Sequence, residues 1–163
     1  LLMDLMRHVM RTEIDYLHKQ GVRLRVIGER EQFADDLQQM MADCEALTAQ
    51  NTRLNLSVAV NFGGRWDIVN AAKQLAQQAV DGDLRLEDVD EARFSDALSL
   101  QGLPEPDLLI RTGGDYRISN FLLWDLAYTE LYFTEAFWPD FDAAALKDAV
   151  ATYAQRTRRF GMM

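Results

Sequence analysis

Cysteine, histidine and proline are scarce in this 163-residue chain, which holds one, two and three of them. With Cys44 alone, no intramolecular disulfide can form, and a reducing, cytoplasmic setting is the expectation. His8 and His18 share one helix but stand too far apart for adjacent turns to bring them to one metal, so both read as surface or boundary residues. No apolar run approaches the length of a membrane span, and no segment has the layout of a signal peptide. Positive charge is also short: 17 Lys and Arg against 26 Asp and Glu give a formal net charge of -9. Nucleic acid is therefore disfavoured as a partner, and an anionic substrate has to be held by a local arginine cluster working against the global field. Neither G-x-G-x-x-G nor G-x-x-x-x-G-K-[ST] occurs, which leaves a nucleotide-binding domain without its motif.

What is present is an alternation of strands and helices. Leu2, Leu5, Met6, Val9 and Leu17 mark one face of a helix that ends near Gly21. Residues 22–27 alternate apolar and basic as a strand near a sheet edge, and residues 31–48 form a second amphipathic helix through Phe33, Leu37, Met41 and Cys44. Its methionines and Cys44 read as core filling. A second alternating strand over 54–60 runs into Asn61-Phe62-Gly63-Gly64-Arg65-Trp66-Asp67 and a helix through Val69, Ala72 and Leu75. A shorter helix carrying Phe94 and Leu98 follows, then an apolar strand into Arg111, a strand over 130–133, and a last helix capped by Asp142 that runs through Leu146 and Val150. This pattern predicts an α/β fold, a largely parallel central sheet flanked by helices, in a single domain.

Chemistry concentrates in residues 108–121, L-L-I-R-T-G-G-D-Y-R-I-S-N-F. The apolar strand meets Gly113-Gly114, where the backbone can turn sharply and approach a ligand closely. Phe121-Leu122-Leu123-Trp124 then reads as a helix capped by Ser119 or Asn120. Arg111, Arg117, the Ser119 hydroxyl and that helix N-terminus would converge on the glycine turn as a site for a multiply charged anion, for which diphosphate is the best candidate. The plainer alternative makes Arg111 and Arg117 surface arginines paired with Asp115 and Asp125. Arg65, Trp66 and Asp67 read either as substrate-side residues or, the favoured alternative, as structural ones, with Asp67 capping its helix and Trp66 packing beneath it.

The wording of these segments is more specific than their periodicity. Arg111-Thr112-Gly113-Gly114-Asp115-Tyr116-Arg117-Ile118-Ser119-Asn120-Phe121-Leu122-Leu123-Trp124 resembles the C-terminal signature of the cis-prenyltransferase family. So do Tyr128-Thr129-Glu130-Leu131-Tyr132-Phe133 and Trp138-Pro139-Asp140-Phe141. Two further motifs of that family, at 61–67 and at Arg158-Arg159-Phe160-Gly161, stand in the same order. The resemblance implies head-to-tail condensation of isopentenyl diphosphate onto an allylic diphosphate, with farnesyl diphosphate as primer, each added unit carrying a cis double bond. It assigns the isopentenyl diphosphate group to Arg111, Arg117 and Ser119 and gives Glu130 a Mg²⁺ ligand role. Arg159 and Gly161 match the R-x-G element, which reaches across a homodimer interface into the partner's site. It also implies an apolar product tunnel and a peripheral membrane contact at product release. Read alone, Glu130 is either a strand carboxylate that needs a cation, Mg²⁺ being the usual hard partner, or a solvent-facing residue.

One motif of that family has no counterpart. D-G-N-G-R-W-A, whose aspartate helps place Mg²⁺ and the allylic diphosphate, does not occur, and Gly63-Gly64-Arg65-Trp66 belongs to a different motif. Residue 1 already lies inside an amphipathic helical pattern without a capping residue ahead of it. The expectation is a synthase lacking its N-terminal third and inactive as these residues alone. The alternative is a non-catalytic partner or regulatory subunit of a prenyltransferase.

Overall fold

The computed structural model describes residues 1–156 and divides into two compact units, Leu1–Gly63 and Gly64–Met163. Strand pairing is parallel throughout, as the alternation of strands and helices predicts, and lies in two two-stranded sheets, one in each unit.

The first unit is built as α1 (Leu2–Lys19), β1 (Val22–Ile27), α2 (Asp35–Thr48) and β2 (Leu54–Ala59). β1 and β2 pair in register from Val22↔Leu54 to Ile27↔Ala59, with α2 as the crossover that a parallel pair requires. Leu24 and Val26 point to one face, where they meet Leu37, Met41 and Cys44 of α2. Met6, Met10 and Ile14 of α1 pack against the same cluster, so both helices cover one side of the sheet. Leu37 and Met41 are fully buried, each worth about 2 kcal/mol of transfer free energy. Burial pushes the Cys44 thiol up, which leaves it a core residue without thiolate character.

The predicted edge strand is closed by side chains of its own crossover. Thr48 Oγ1 accepts from the Leu24 amide at 3.0 Å, and Glu45 Oε1 accepts from the Val26 amide at 2.6 Å. Asn51 Nδ2 donates to the Val22 carbonyl at 2.7 Å, and Arg30 donates to the Val26 carbonyl while pairing with Glu45. Backbone groups that would otherwise template another strand are satisfied in this way. α2 starts later than the periodicity suggests. A short 3-10 turn at Arg30–Gln32 is followed by extended backbone at Phe33 and Ala34, so the helix begins at Asp35. Phe33 still reaches the core from outside the helix.

The second unit opens with α3 (Gly64–Asp81), followed by the one-turn α4 (Glu91–Ser95), β3 (Leu108–Arg111), β4 (Glu130–Phe133) and α5 (Ala143–Ala154). β3 and β4 pair from Leu108↔Glu130 to Arg111↔Phe133. Asp142 caps α5 as the sequence predicts, accepting from the amides of Ala144 and Ala145 at 2.9 Å each. Such a cap contributes about 1 kcal/mol. Leu146 and Val150, read as the buried stripe of α5, are half exposed, and the contact is made by Ala149 instead. Asp67 does not cap α3. It is 3% exposed and accepts from Ser99 through both the amide (3.1 Å) and the hydroxyl (2.6 Å), which pins the turn around Leu98 to the helix.

Candidate anion site at the end of β3

β3 delivers Arg111 to the carboxyl end of its strand, where open α/β sheets place their ligands. The chain then reverses through Gly113 and Gly114, both at positive φ (89° and 76°), a conformation that a side chain would strain. Their amides do not face a ligand. Gly113 donates to the Ala136 carbonyl at 2.9 Å and Gly114 to the Thr134 carbonyl at 3.0 Å, and these bonds tie the turn to the chain beyond β4. Tyr116 tilts against Phe133 at 5.5 Å between ring centroids and holds the following residues over the same end of the sheet.

Three of the predicted ligands come together here. Arg111 Nη1 donates to Ser119 Oγ at 3.1 Å and to the Arg117 carbonyl, while its Nη2 donates to Asp115 Oδ2 at 2.8 Å. Arg117 Nη2 reaches that same oxygen at 2.6 Å. Two guanidinium groups and a hydroxyl thus converge on one point, with Asp115 between the arginines. The plainer pairing is therefore partly realised, through Asp115 and not through Asp125.

The fourth expected element is missing. No α-helix starts at Phe121: residues 119–128 are a series of turns, with Ser119 and Leu122 at positive φ (52° and 44°), so no run of helical amides points at the arginines. Asn120 caps a different helix. Its carbonyl accepts from Gly64 N at 2.7 Å and its Oδ1 from Arg65 N at 2.9 Å, satisfying the first amides of α3. The Arg65 side chain is exposed and Trp66 half buried.

Glu130 belongs to a separate cluster. It opens β4 opposite Leu108, three ladder positions from Arg111, or roughly 10 Å along the strand, and the odd offset puts it on the other face of the sheet. There Arg156 Nη1 donates to Glu130 Oε2 at 2.6 Å, so a guanidinium supplies the cation that this carboxylate was expected to need. Among the described residues no three His, Cys, Asp or Glu side chains gather as a metal site. A single half-buried carboxylate nonetheless fits Mg²⁺, which keeps most of its waters and takes one or two carboxylates plus substrate phosphate. Arg159 and Gly161 lie outside the described residues.

The sequence reading names Asp115 as an arginine partner and Asn120 as a helix cap, though of another helix than α3, and it misses Arg156. Asp115 was visible as the acid between two arginines, whereas the partners of Asn120 and Arg156 depend on contacts more than twenty residues away. Asp125 makes no ion pair with either arginine, both of which pair with Asp115. Burial pushes its carboxyl up, and the charges of Asp67 and Glu105 add to the effect. A carboxyl raised in the folded state makes that state bind more protons than the unfolded one, so stability falls as pH rises through the raised value. Asp125→Asn is therefore expected to raise the melting temperature at pH 7.5, with the gain shrinking toward pH 4. A gain of equal size at both pH values would sink this assignment.

The first unit contains an apolar cavity of about 310 Å³ between α1 and the sheet, lined by Leu5, Val9, Met10, Leu56, Val58 and Val60 among others. Periodicity alone could not separate such a hollow from a solid core. No helix among the described residues is long and apolar enough to cross a membrane.

Comparison with known proteins gives a consistent family. The prenyltransferase family model described as undecaprenyl diphosphate synthase matches residues 1–161. The ditrans,polycis-undecaprenyl-diphosphate synthase of Legionella pneumophila (strain Paris), described as specific for (2E,6E)-farnesyl diphosphate, is 51% identical over 99% of this chain and 68% of its own length. The corresponding synthase of Xanthomonas axonopodis pv. citri is 53% identical over 99% of this chain and 63% of its own length. The chain thus spans about two thirds of these relatives. Lavandulyl diphosphate synthase from Lavandula x intermedia, crystallised with dimethylallyl diphosphate, superposes with a TM-score of 0.93 at 40% identity over 98% of this chain and 70% of that one. The Campylobacter jejuni structure described as a probable undecaprenyl diphosphate synthase gives 0.83 at 29% identity over 97% and 72%. The chain belongs to the undecaprenyl diphosphate synthase family of cis-prenyltransferases.

Proposed function

We propose that this chain carries the isopentenyl diphosphate half of an undecaprenyl diphosphate synthase, with Arg111, Arg117 and Ser119 holding the diphosphate. The observation that carries this reading is their convergence at the end of β3. Guanidinium forks suit phosphate oxygens because each can grip two at once. Holding the diphosphate there aligns the π bond of isopentenyl diphosphate with the C1 carbon of an allylic primer, farnesyl diphosphate, whose own diphosphate leaves as the new bond forms, a proton then leaving C2 of the isopentenyl unit to set the new double bond. Mg²⁺, when bound, neutralises diphosphate charge. The product, undecaprenyl diphosphate, is the lipid carrier precursor for cell-wall synthesis, made in the cytoplasm and released through a peripheral membrane contact.

Glu130 favours a homodimer as the working form. It lies on the opposite face and end of the β3–β4 pair from Arg111, so its carboxylate would help hold Mg²⁺ for a second copy's diphosphate site and not for its own arginines. Arg156 ties Glu130 to the chain just ahead of the tail that carries Arg159 and Gly161. All three residues would enter the partner's site together. The apolar cavity under α1 has the chemistry to hold an isoprenoid chain.

The test is calorimetric titration of these 163 residues with isopentenyl diphosphate, together with a condensation assay using labelled isopentenyl diphosphate, farnesyl diphosphate and Mg²⁺. Saturable binding without chain elongation is expected, since no D-G-N-G-R-W-A segment is present. Absence of binding would overturn the anion-site reading. Elongation would show that the aspartate of that motif is not required.

A further inference from the structure

The two arginines at the end of β3 already share an anion. Asp115 Oδ2 accepts from Arg111 at 2.8 Å and from Arg117 at 2.6 Å, a bridging position that suits a phosphate oxygen equally well. We propose that Asp115 is a resident counter-anion, displaced by each incoming diphosphate, and that it sets how tightly the site binds. This deepens the diphosphate reading of the site and rests on it.

The local structure divides into a fixed part and a movable part. Arg111 is fixed, with a side chain only 25% exposed that also donates to Ser119 Oγ and to the Arg117 carbonyl. Asp115 is 41% exposed, and its bonds in the site are the two ion pairs. It directly follows Gly113-Gly114, whose amides are anchored to Ala136 and Thr134, and an added Cβ at either glycine would meet nothing within 4 Å. The anchored glycines hold the pivot in place, and the exposure of Asp115 itself leaves its carboxylate free to swing toward solvent.

Displacement has a simple arithmetic. A site whose competent form is a fraction of the population binds its ligand more weakly by that fraction, whichever ligand it is. An intramolecular carboxylate competes at high effective concentration. Anions that contact the arginines through one group are held below useful affinity by this competitor. A diphosphate brings several oxygens for both guanidinium groups and for Ser119, and so overcomes it. The same competitor re-pairs the arginines once free diphosphate has left.

The test is calorimetric titration of the protein and of Asp115→Asn with inorganic diphosphate and with inorganic phosphate. With the carboxylate in place in about nine-tenths of molecules, the substitution should tighten both anions by about tenfold, by similar factors. Asp125→Asn serves as the control for general charge removal and should change both by less than about twofold. Unchanged affinity in Asp115→Asn, or weaker binding, would overturn the proposal, the latter by making Asp115 a brace for the arginines. A tightening that Asp125→Asn reproduces would replace displacement with a field effect. Arg111→Ala separates the two levels. If it binds diphosphate as tightly as the unsubstituted protein, the site reading itself fails; if its binding weakens while Asp115→Asn is unchanged, only the counter-anion is wrong.

Discussion

Replacing Arg111 by alanine is expected to weaken binding of isopentenyl diphosphate by about tenfold to a hundredfold, as loss of one charge-assisted contact worth roughly 1.5–3 kcal/mol requires. The upper end is favoured because this guanidinium does more than contact ligand. It fixes Ser119 Oγ at 3.1 Å and the Arg117 carbonyl, so removing it also loosens two other members of the site. Arg117→Ala should cost less, since its side chain is 63% exposed and reaches Asp115 in the site, without the further bonds that Arg111 makes. Glu130→Ala is the internal control: with divalent ions chelated it should leave isopentenyl diphosphate binding unchanged, because it stands at the other end and face of the β3–β4 pair. Titration calorimetry on the three variants checks the order. Equal losses in Arg111→Ala and Glu130→Ala without metal would mean that the two clusters are one site.

Which parts of this arrangement were legible in the sequence depends on the range of the interactions that decide them. β1, β4 and the Asp142 cap are settled by residues a few positions apart, and they stand where alternation and capping chemistry put them. The convergence at the end of β3 was legible for the same reason, because Arg111, Arg117 and Ser119 lie within nine residues joined by a glycine turn. The helix expected at Phe121 shows where local reading stops. Phe121-Leu122-Leu123-Trp124 has helical composition, but Asn120 is committed to the amides of Gly64 and Arg65 fifty-five residues away, and Ser119 and Leu122 take positive φ. Tertiary demand overrides a weak propensity there. Glu130 teaches the same lesson through register. It reads as a strand carboxylate in need of a cation, and strand direction and parity, which sequence does not specify, send it to the opposite end and face from the arginines.

Gly28→Ala is expected to be the most destabilising single-methyl change in the first unit, at about 3 kcal/mol or more, the range reached when a strained backbone position also loses its packing space. Gly28 follows β1 at φ 118°, and a Cβ there would stand 1.9 Å from the Val60 carbonyl oxygen and 3.0 Å from its carbon. Neither neighbour can give way cheaply. Val60 N is bonded to the Ile27 carbonyl at 2.9 Å, and the Asn61 carbonyl accepts from Glu29 N at 3.3 Å. Relief of the clash therefore requires parting the ends of β1 and β2, just before the loop that leads to Gly63. Gly82→Ala isolates the conformational part of the cost. Its φ is 81°, yet an added Cβ meets nothing within 4 Å, so it should lose only about 1–2 kcal/mol, the cost of a left-handed non-glycine residue. Urea denaturation of both variants followed by far-ultraviolet circular dichroism gives the difference. If Gly28→Ala loses no more than Gly82→Ala, the approach of Val60 to Gly28 is not what holds the two strand ends together. If it loses the larger amount, a backbone contact that no side-chain pattern announces is one of the main determinants of where β1 and β2 end.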